Sequence, residues 1–271
     1  MIRTRRPVVR ARERKSTGVT IKNQNEIGWM RDAGFVVSLV HVAMQDAIAP
    51  GVTTLDLDTV ARDVIKEHRA IASFLGHHGF KGNICASVND EIVHGIPSNR
   101  VLRDGDIITV DVGAIINGWH GDSAWTYGVG TISPDSARLL RDTEAALYEG
   151  IRAVEAGSRL GAIGEAVERF AAPLGYGIVR GYGGHGIGRE MWEDPHIPNH
   201  FDPNRGPVLR PGMTLAIEPM LNLGGAETAV LEDEWTVVTE DGSWSAHFEH
   251  TVVVTDGEPE ILTKRLVAMV Q

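Results

Sequence analysis

The apolar positions in the first quarter of the chain repeat with the period of an α-helix. From Asn23 to Ala49 they fall on Ile27, Met30, Gly34, Val37, Val40 and Met44. Steps of three and four residues put these positions on one helix face, and Pro50-Gly51 ends the pattern. A second run, which Thr53 or Thr54 can cap, extends to about His68 and turns Leu57, Val60, Val64 and Ile65 inward. The sequence therefore predicts two amphipathic helices.

The later segments alternate between strand-like runs and helices. Ala70–Gly95 should be mostly loop and strand, with one strand-like run at Asn83–Val88. Ser133-Pro134 caps a helix that is expected to run to about Ala156, and a shorter one should follow from about Leu160 to Ala172. After Gly175 the strand-like stretches are GIVRGYGGHGIG, MTLAIEPML, EWTVVTE and SAHFEHTVVVT. This order predicts an α+β fold in which helices cover one face of a mostly antiparallel sheet.

Asn117-Gly118 lies between the two β-rich runs Ile107–Ile116 and Trp119–Val129. Asn-Gly in this setting is the strongest short-range signal for a β-hairpin. With residue 116 opposite 119, Asp111 opposes Ala124 and Asp122 opposes Gly113. The two aspartates are then diagonal neighbours on one face of the ribbon, roughly 7–8 Å apart at Cα.

Two carboxylates this close on apolar strands repel each other and resist desolvation. A cation between them resolves both problems, and a pair of ions about 3.5–4 Å apart also fits. Two alternatives remain open at this point: one aspartate faces solvent at a sheet edge, or a bulge breaks the alternation.

An internal repeat relates the two halves of the chain. Val101–Asp111 reads VLRDGDIITVD, and Val208–Glu218, 107 residues later, reads VLRPGMTLAIE. Asp111 aligns with Glu218, although a glycine turn before an apolar strand is common enough for chance similarity. The repeat favours one catalytic domain over residues 21–271, built from two pseudo-symmetric halves at about 21–132 and 133–271.

Three further residues are candidates for the same chemistry. His185 lies among glycines in YGGHGIG, where the backbone can approach a bound group closely. Glu218 and Glu249 each lie at an apolar run, in LAIEPM and HFEHTVVV. Taken singly, His185 fits a histidine bonded to a backbone carbonyl, and each acid fits an edge-strand salt bridge. Four acids on predicted interior strands need several cations, so the five together indicate a dinuclear metal centre.

Five motifs in order resemble type I methionine aminopeptidase, a metallopeptidase of the pita-bread fold. They are HGIP (94–97), VDVGAIINGWHGD (110–122), GHGIG (184–188), IEPM (217–220) and FEHT (248–251), and the resemblance extends over about Lys22–Leu262. It implies a curved, mostly antiparallel sheet covered by helices. It implies removal of the N-terminal methionine from nascent proteins or peptides with a small second residue, by attack of a metal-bridged hydroxide on the first peptide bond.

The resemblance also implies the site residues. Asp111, Asp122, His185, Glu218 and Glu249 match the ligands of two divalent ions, with Asp122 and Glu249 bridging. Co, Mn, Fe(II) and Zn all suit oxygen-rich ligation with one imidazole. Glu218 matches the general base, and His94 matches a histidine that contacts the scissile amide. Positions lining the family's methionine pocket are Phe74, His77, Phe80, Cys85 and Trp235, though Phe74 and Phe80 also fit plain core residues.

Trp192 is a departure from the family pattern. The family has a second catalytic histidine seven residues after the ligand histidine. This sequence reads GHGIGREMW and has Trp192 at that position. Indole donates one hydrogen bond and cannot accept a proton. We therefore expect retained metal binding with lowered turnover or a changed substrate preference.

Composition and charge bound the remaining possibilities. A formal net charge of −10 argues against a nucleic-acid-binding body. Basic residues crowd the first fifteen positions, so residues 1–20 are expected to form a disordered basic tail, with a ribosome contact as one use. The lone cysteine fits a reducing cytoplasm, and no run approaches the length of a membrane span.

The sequence therefore predicts a cytoplasmic, monomeric methionyl aminopeptidase that acts on nascent polypeptide N-termini. Two alternatives remain: an aminopeptidase or proline dipeptidase of the same fold with another specificity, and a low-activity paralogue that binds ribosome or protein partners.

Overall fold

The computed structural model describes residues 5–6 and 18–266. The predicted disorder of residues 1–20 therefore falls largely outside the described residues, although Arg5–Arg6 forms a short strand. Four α-helices lie in the described part of the chain: α1 (Gln24–Ala47), α2 (Thr54–Glu67), α3 (Pro134–Arg152) and α4 (Gly161–Ala171). Two short 3-10 turns, His77–Gly79 and Ala172–Leu174, accompany them.

Local capping explains where the helices begin. Asn23 accepts hydrogen bonds from the first turn of α1 while Glu26 bonds back to the Asn23 amide, and Thr53 and Asp56 do the same for α2. Ser133 caps α3, as predicted. That helix ends at Arg152 and not near Ala156, because its last turn tightens: Ala153 and Val154 donate to the carbonyls three residues earlier.

The strands of the described chain pair antiparallel in every ladder. They are β1 (Arg5–Arg6), β2 (Ile71–Ala72), β3 (Cys85–Val88), β4 (Glu91–Val93), β5 (Ile107–Ile116), β6 (Trp119–Gly128), β7 (Gly177–Ile178), β8 (Gly184–Gly186), β9 (Glu193–Ile197), β10 (Thr214–Ile217), β11 (Met220–Asn222), β12 (Thr228–Leu231), β13 (Val237–Thr239), β14 (Ser245–His247), β15 (His250–Val253) and β16 (Glu260–Ile261). Their orders are β1-β12-β13-β4, β16-β15-β10-β8-β9, β14-β11-β7 and β2-β5-β3, with β6 on β5. The pattern did not predict β9, β12 or β16.

The hairpin forms in the predicted register. Ile116 pairs with Trp119, Asp111 with Ala124 and Gly113 with Asp122. Asn117 and Gly118 both have positive φ, as a two-residue turn of this kind requires. The ladder runs without a bulge over ten pairs, Asp122 is buried, and Asp111 lies on β5 between β3 and β6, so neither alternative for the two aspartates applies.

The two halves repeat the same hydrogen bonds. Gly51 donates to Leu102 O at 2.8 Å, and Gly157 donates to Leu209 O at 2.9 Å. Isolated bridges join Thr53 to Val101 and Arg159 to Val208. In each half a helix pair precedes the central strand, α1 and α2 before β5 and α3 and α4 before β10. The repeat seen in the sequence is thus a structural one.

Each helix pair covers its own hydrophobic core. Residues of α1 and α2 such as Val40, Met44 and Leu57 pack on β3 and β5, while α3 and α4 pack on β10, β11 and β14. By length and composition α1 could cross a membrane, with a mean hydropathy of 1.2 over 18 residues, so the expectation that no run approaches that length was wrong. In this fold 56% of that window is buried inside the protein.

Candidate metal centre

Hydroxyl groups hold β6 against the strands of the second half. Thr251 Oγ1 donates to Asp122 O at 2.8 Å and accepts from Asp122 N at 3.0 Å. Ser123 Oγ donates to Glu249 O at 2.6 Å, and the Glu249 amide donates to Ala124 O at 2.8 Å. These bonds bring the Asp122 and Glu249 carboxylates, which are distant in sequence, to one place.

His185 reaches that place because glycines flank it on β8. A Cβ at Gly184 would collide with Ala216 O on β10, and one at Gly186 would collide with Asp194 O on β9. Glycine therefore allows β8 to lie closely between its two neighbours. His185 Nδ1 lies 2.9 Å from Gly186 O and donates to it, which leaves the lone pair on Nε2 facing the cavity.

Glu218 and Glu249 lie between strands and not within them. Glu218 directly follows β10, and Glu249 directly precedes β15, so the predicted continuous strands MTLAIEPML and SAHFEHTVVVT are each broken at the acid. Pro219 lacks an amide hydrogen, which interrupts the ladder beside Glu218. Asn199 Nδ2 donates to Glu218 O at 2.9 Å and holds the break in position.

The five predicted residues meet around one point. His185 Nε2 lies 3.6 Å from Glu218 Oε1 and 4.0 Å from Asp122 Oδ2. One donor atom each from Asp122, His185 and Glu249 lies within 4.8 Å of the others, and all three residues are buried. Asp111 pairs with Cys85 of β3 and lines the same cavity. Donor atoms at these separations can share a divalent ion.

The electrostatics of the cluster are unfavourable without a cation. Burial raises the pKa of Asp122, and Glu249 and Asp111 raise it further. Burial and then Glu218 and Asp111 raise the pKa of Glu249, and burial raises that of Asp111 to about 7. Asp111 Oδ1, Asp122 Oδ1 and Glu249 Oε1 are buried and have no hydrogen-bond partner among the described residues. Such unsatisfied oxygens fit a site that metal ions complete.

The cavity over the cluster is apolar and aromatic. All the site residues predicted from the sequence line it: Phe74, His77, Phe80, Cys85, His94, Asp111, Asp122, His185, Trp192, Glu218, Trp235 and Glu249. The rings of Phe80 and Trp235 lie 5.0 Å apart between centroids, and Phe74 packs edge-on to Phe80 at 6.4 Å. Phe74 and Phe80 are therefore buried core residues that also form the cavity wall.

Trp192 lies at this cavity, close to the cluster. Its ring centroid is 6.1 Å from that of His185 and 4.5 Å from that of His77. His94 lies with positive φ and faces Tyr182 and Trp235 at 6.2 and 6.4 Å between ring centroids. An indole thus occupies the position where the family motif predicts a second imidazole.

Sequence reasoning missed His247 and Val93, which also line the cavity. His247 is two residues before Glu249, and alternate residues of an extended chain share a face. That spacing was the available signal for His247. Val93 is an apolar residue at the end of β4 and carries no comparable signal.

A curved antiparallel fold in two matched halves, with buried acids and an imidazole where they meet, defines the class as a pita-bread metallopeptidase. A model of Metallopeptidase family M24 matches residues 28–256. The chain belongs to that family, which confirms the predicted resemblance and fold class.

Relatives within the family share most of this chain. "Methionine aminopeptidase 1" of Bacillus subtilis is 50% identical over 246 residues, which are 91% of this chain and 99% of that protein. "Methionine aminopeptidase 1" of Mycobacterium tuberculosis is 50% identical over 265 residues, 95% of this chain and 99% of the relative. The crystal structure of methionine aminopeptidase from Thermotoga maritima superposes with a TM-score of 0.90 at 43% identity, covering 92% of this chain and 100% of that one.

Proposed function

We propose that this chain is a methionine aminopeptidase, which hydrolyses the first peptide bond of proteins and peptides whose second residue is small. The observation that carries the proposal is the buried cluster of four acids and one imidazole beneath an aromatic cavity. Relatives at 50% identity over nearly their whole length carry that name, which supports the same activity here.

Asp111, Asp122, His185, Glu218 and Glu249 would hold two divalent ions. The unsatisfied buried oxygens of three of these acids fit that role. Ions bound there supply Lewis acidity, which lowers the pKa of water and polarises a carbonyl group. Oxygen ligands with imidazole suit Mn, Fe(II), Co and Zn alike.

The remaining side chains bind and orient the substrate. Glu218, whose side chain is 13% exposed, accepts a proton from the attacking water and returns it to the leaving amine. His94, which lines the same cavity, would contact the scissile amide. Phe74, Phe80, Cys85 and Trp235 enclose the methionine side chain in an apolar pocket that suits an unbranched thioether.

Residues from both halves of the chain line the cavity, so we take residues 21–271 as one catalytic domain. This domain would act on the N-termini of nascent polypeptides. We place this activity in the cytoplasm, in a monomer, with the basic residues at 1–20 available for a ribosome contact.

Tripeptides that differ only at the second residue test the specificity. We expect release of methionine from Met-Ala-Ser and at least about 100-fold less from Met-Lys-Ser, because the proposed specificity admits only a small second side chain. Chelation should abolish the release. Preferential cleavage before proline would instead indicate a proline dipeptidase, and a protein that binds these peptides without hydrolysis would be a binding paralogue.

Restoring an imidazole at position 192 tests the role of the indole. We expect Trp192→His to raise kcat for Met-Ala-Ser at least about tenfold, because an imidazole can donate to or accept from the reacting groups. The control is Trp29→His. The Trp29 ring stacks on Trp119 away from the cavity, so this change should leave kcat unchanged. Equal rates for wild type and Trp192→His would count against the hypothesis.

A further inference from the structure

His247 is a buried histidine whose ring nitrogens have no hydrogen-bond partner among the described residues. Its exposure is 1%, and both Nδ1 and Nε2 are unsatisfied. One buried oxygen each of Asp111, Asp122 and Glu249 is likewise unsatisfied, and these three side chains line the same cavity as His247. An unpaired buried imidazole is costly, so its presence needs a reason.

The backbone of His247 is held firmly. Thr126 Oγ1 donates to His247 O at 2.8 Å and accepts from His247 N at 3.0 Å. On its other side β14 pairs with β11, where His247 lies opposite Met220. The main chain therefore aims the imidazole at the cluster, just as the glycines around His185 aim that ring.

The position of Nε2 repeats the geometry of His185. His247 Nε2 lies 3.6 Å from Glu218 Oε2 and 4.0 Å from Glu249 Oε2. His185 Nε2 lies 3.6 Å from the other oxygen of Glu218 and 4.0 Å from Asp122 Oδ2. Two donors that each bind one ion at about 2.1 Å lie no more than about 4.2 Å apart. Both histidines meet that limit with both of their carboxylate neighbours.

A direct hydrogen bond and an ion pair both fit this geometry less well than a shared ion does. A hydrogen bond from Nε2 to Glu218 would need a separation of about 2.7–3.2 Å. A charge-assisted hydrogen bond from an imidazolium would be shorter still, at about 2.7–2.9 Å, and both carboxylates lie beyond that distance from Nε2.

We propose that His247 is a second imidazole ligand of the metal centre and shares an ion with Glu218 and Glu249. This inference rests on the proposed function, since it adds a sixth protein ligand to the same site. The added nitrogen shifts the preference of the site towards Co, Zn and Fe(II) and away from Mn. It also places a second imidazole at the cluster of a chain that carries Trp192 in place of the family's second histidine.

The number of imidazole ligands can be counted directly. Protein labelled with ¹⁵N at histidine and saturated with Co(II) should show two hyperfine-shifted imidazole N–H resonances. The His247→Gln variant should show one, and its Co(II) affinity in competition with a chelator should fall at least about tenfold. The wild-type count is informative without any variant.

His250→Gln is the matched control. His250 is fully buried and its Nε2 also lacks a partner among the described residues, but its Nδ1 bonds Thr263 and it does not line the cavity. This variant should keep both resonances and the wild-type affinity. A single resonance in the wild type, with unchanged affinity in His247→Gln, would overturn the assignment of His247. Failure of the wild type to bind Co(II) at all would overturn the metal centre itself.

Discussion

Asp122→Asn is expected to lower kcat/KM for Met-Ala-Ser at least about 1,000-fold, a loss of about 4 kcal/mol in transition-state stabilisation. Asp122 is 3% exposed and lies between the Asp111 and Glu249 carboxyls, 4.0 Å from His185 Nε2. Asparagine keeps the shape of the side chain and removes the anionic oxygens that two ions would share. Kinetics at saturating metal, with metal content measured on the same samples, test this expectation.

The same substitution should stabilise the metal-free protein. In the absence of ions the Asp122 carboxylate is opposed by its burial and by its acidic neighbours, so a neutral amide removes a destabilising charge. We expect the free energy of unfolding at pH 8 to rise by about 1 kcal/mol or more, as measured by urea denaturation in a chelator.

Asp58→Asn is the matched control. Asp58 is also buried, but its carboxylate accepts hydrogen bonds from Asn83 N at 2.6 Å, Asn83 Nδ2 at 2.7 Å and Ile84 N at 3.2 Å. Its replacement should lower stability by about 1–3 kcal/mol and leave metal binding intact. If both variants lost the same stability and both kept the bound metal, the cluster around Asp122 would be an ordinary set of buried polar groups and not a metal site.

The second large effect is a pH dependence that metal should suppress. Burial raises the pKa of Asp111 to about 7, and the pKa values of Asp122 and Glu249 are raised well above their ordinary values. A carboxyl whose pKa is raised in the folded state keeps its proton after the unfolded chain has lost it. The metal-free protein therefore loses stability as the pH rises towards the folded pKa, by about 1.4 kcal/mol per pH unit for each retained proton.

The difference in the free energy of unfolding between metal-saturated and metal-free protein, measured from about pH 5 to about pH 7, isolates this effect. Burial lowers the pKa of both His41 and His250 to about 3, so their contribution to stability is lost as the pH falls from about 6.5 towards 3. That contribution is present with and without metal and cancels in the difference. The stability that metal adds should therefore grow as the pH rises. A difference that stays constant over this range would contradict the strained carboxylate cluster.

The hairpin shows how much of the site could be predicted from short-range sequence patterns. Asn117-Gly118 and the alternation around it determine the register, so the sequence predicted that Asp111 and Asp122 share a face. The repeat of Val101–Asp111 in Val208–Glu218 predicted that a second strand with an acid lies opposite. Short-range rules suffice here because turn geometry and side-chain alternation leave few choices.

The strand breaks beside Glu218 and Glu249 were not predicted, and neither was β9. The apolar runs LAIEPML and HFEHTVVV look like continuous strands. A proline or an acid inside such a run does not show where the chain leaves one partner strand and pairs with another. The break is decided by β10 pairing with β8 and β15 while β11 pairs with β7 and β14. Those partners lie tens of residues away.

The sequence by itself determined the helices, the hairpin, the two-fold repeat and the identity of the five clustered residues, because each follows from local periodicity or from a motif of fixed spacing. Only the tertiary structure decided that His247 also lies at this cluster and that three carboxylate oxygens there are unsatisfied. The distances between these side chains and their exposure to solvent depend on segments that come together from both halves of the chain. No local sequence pattern encodes them.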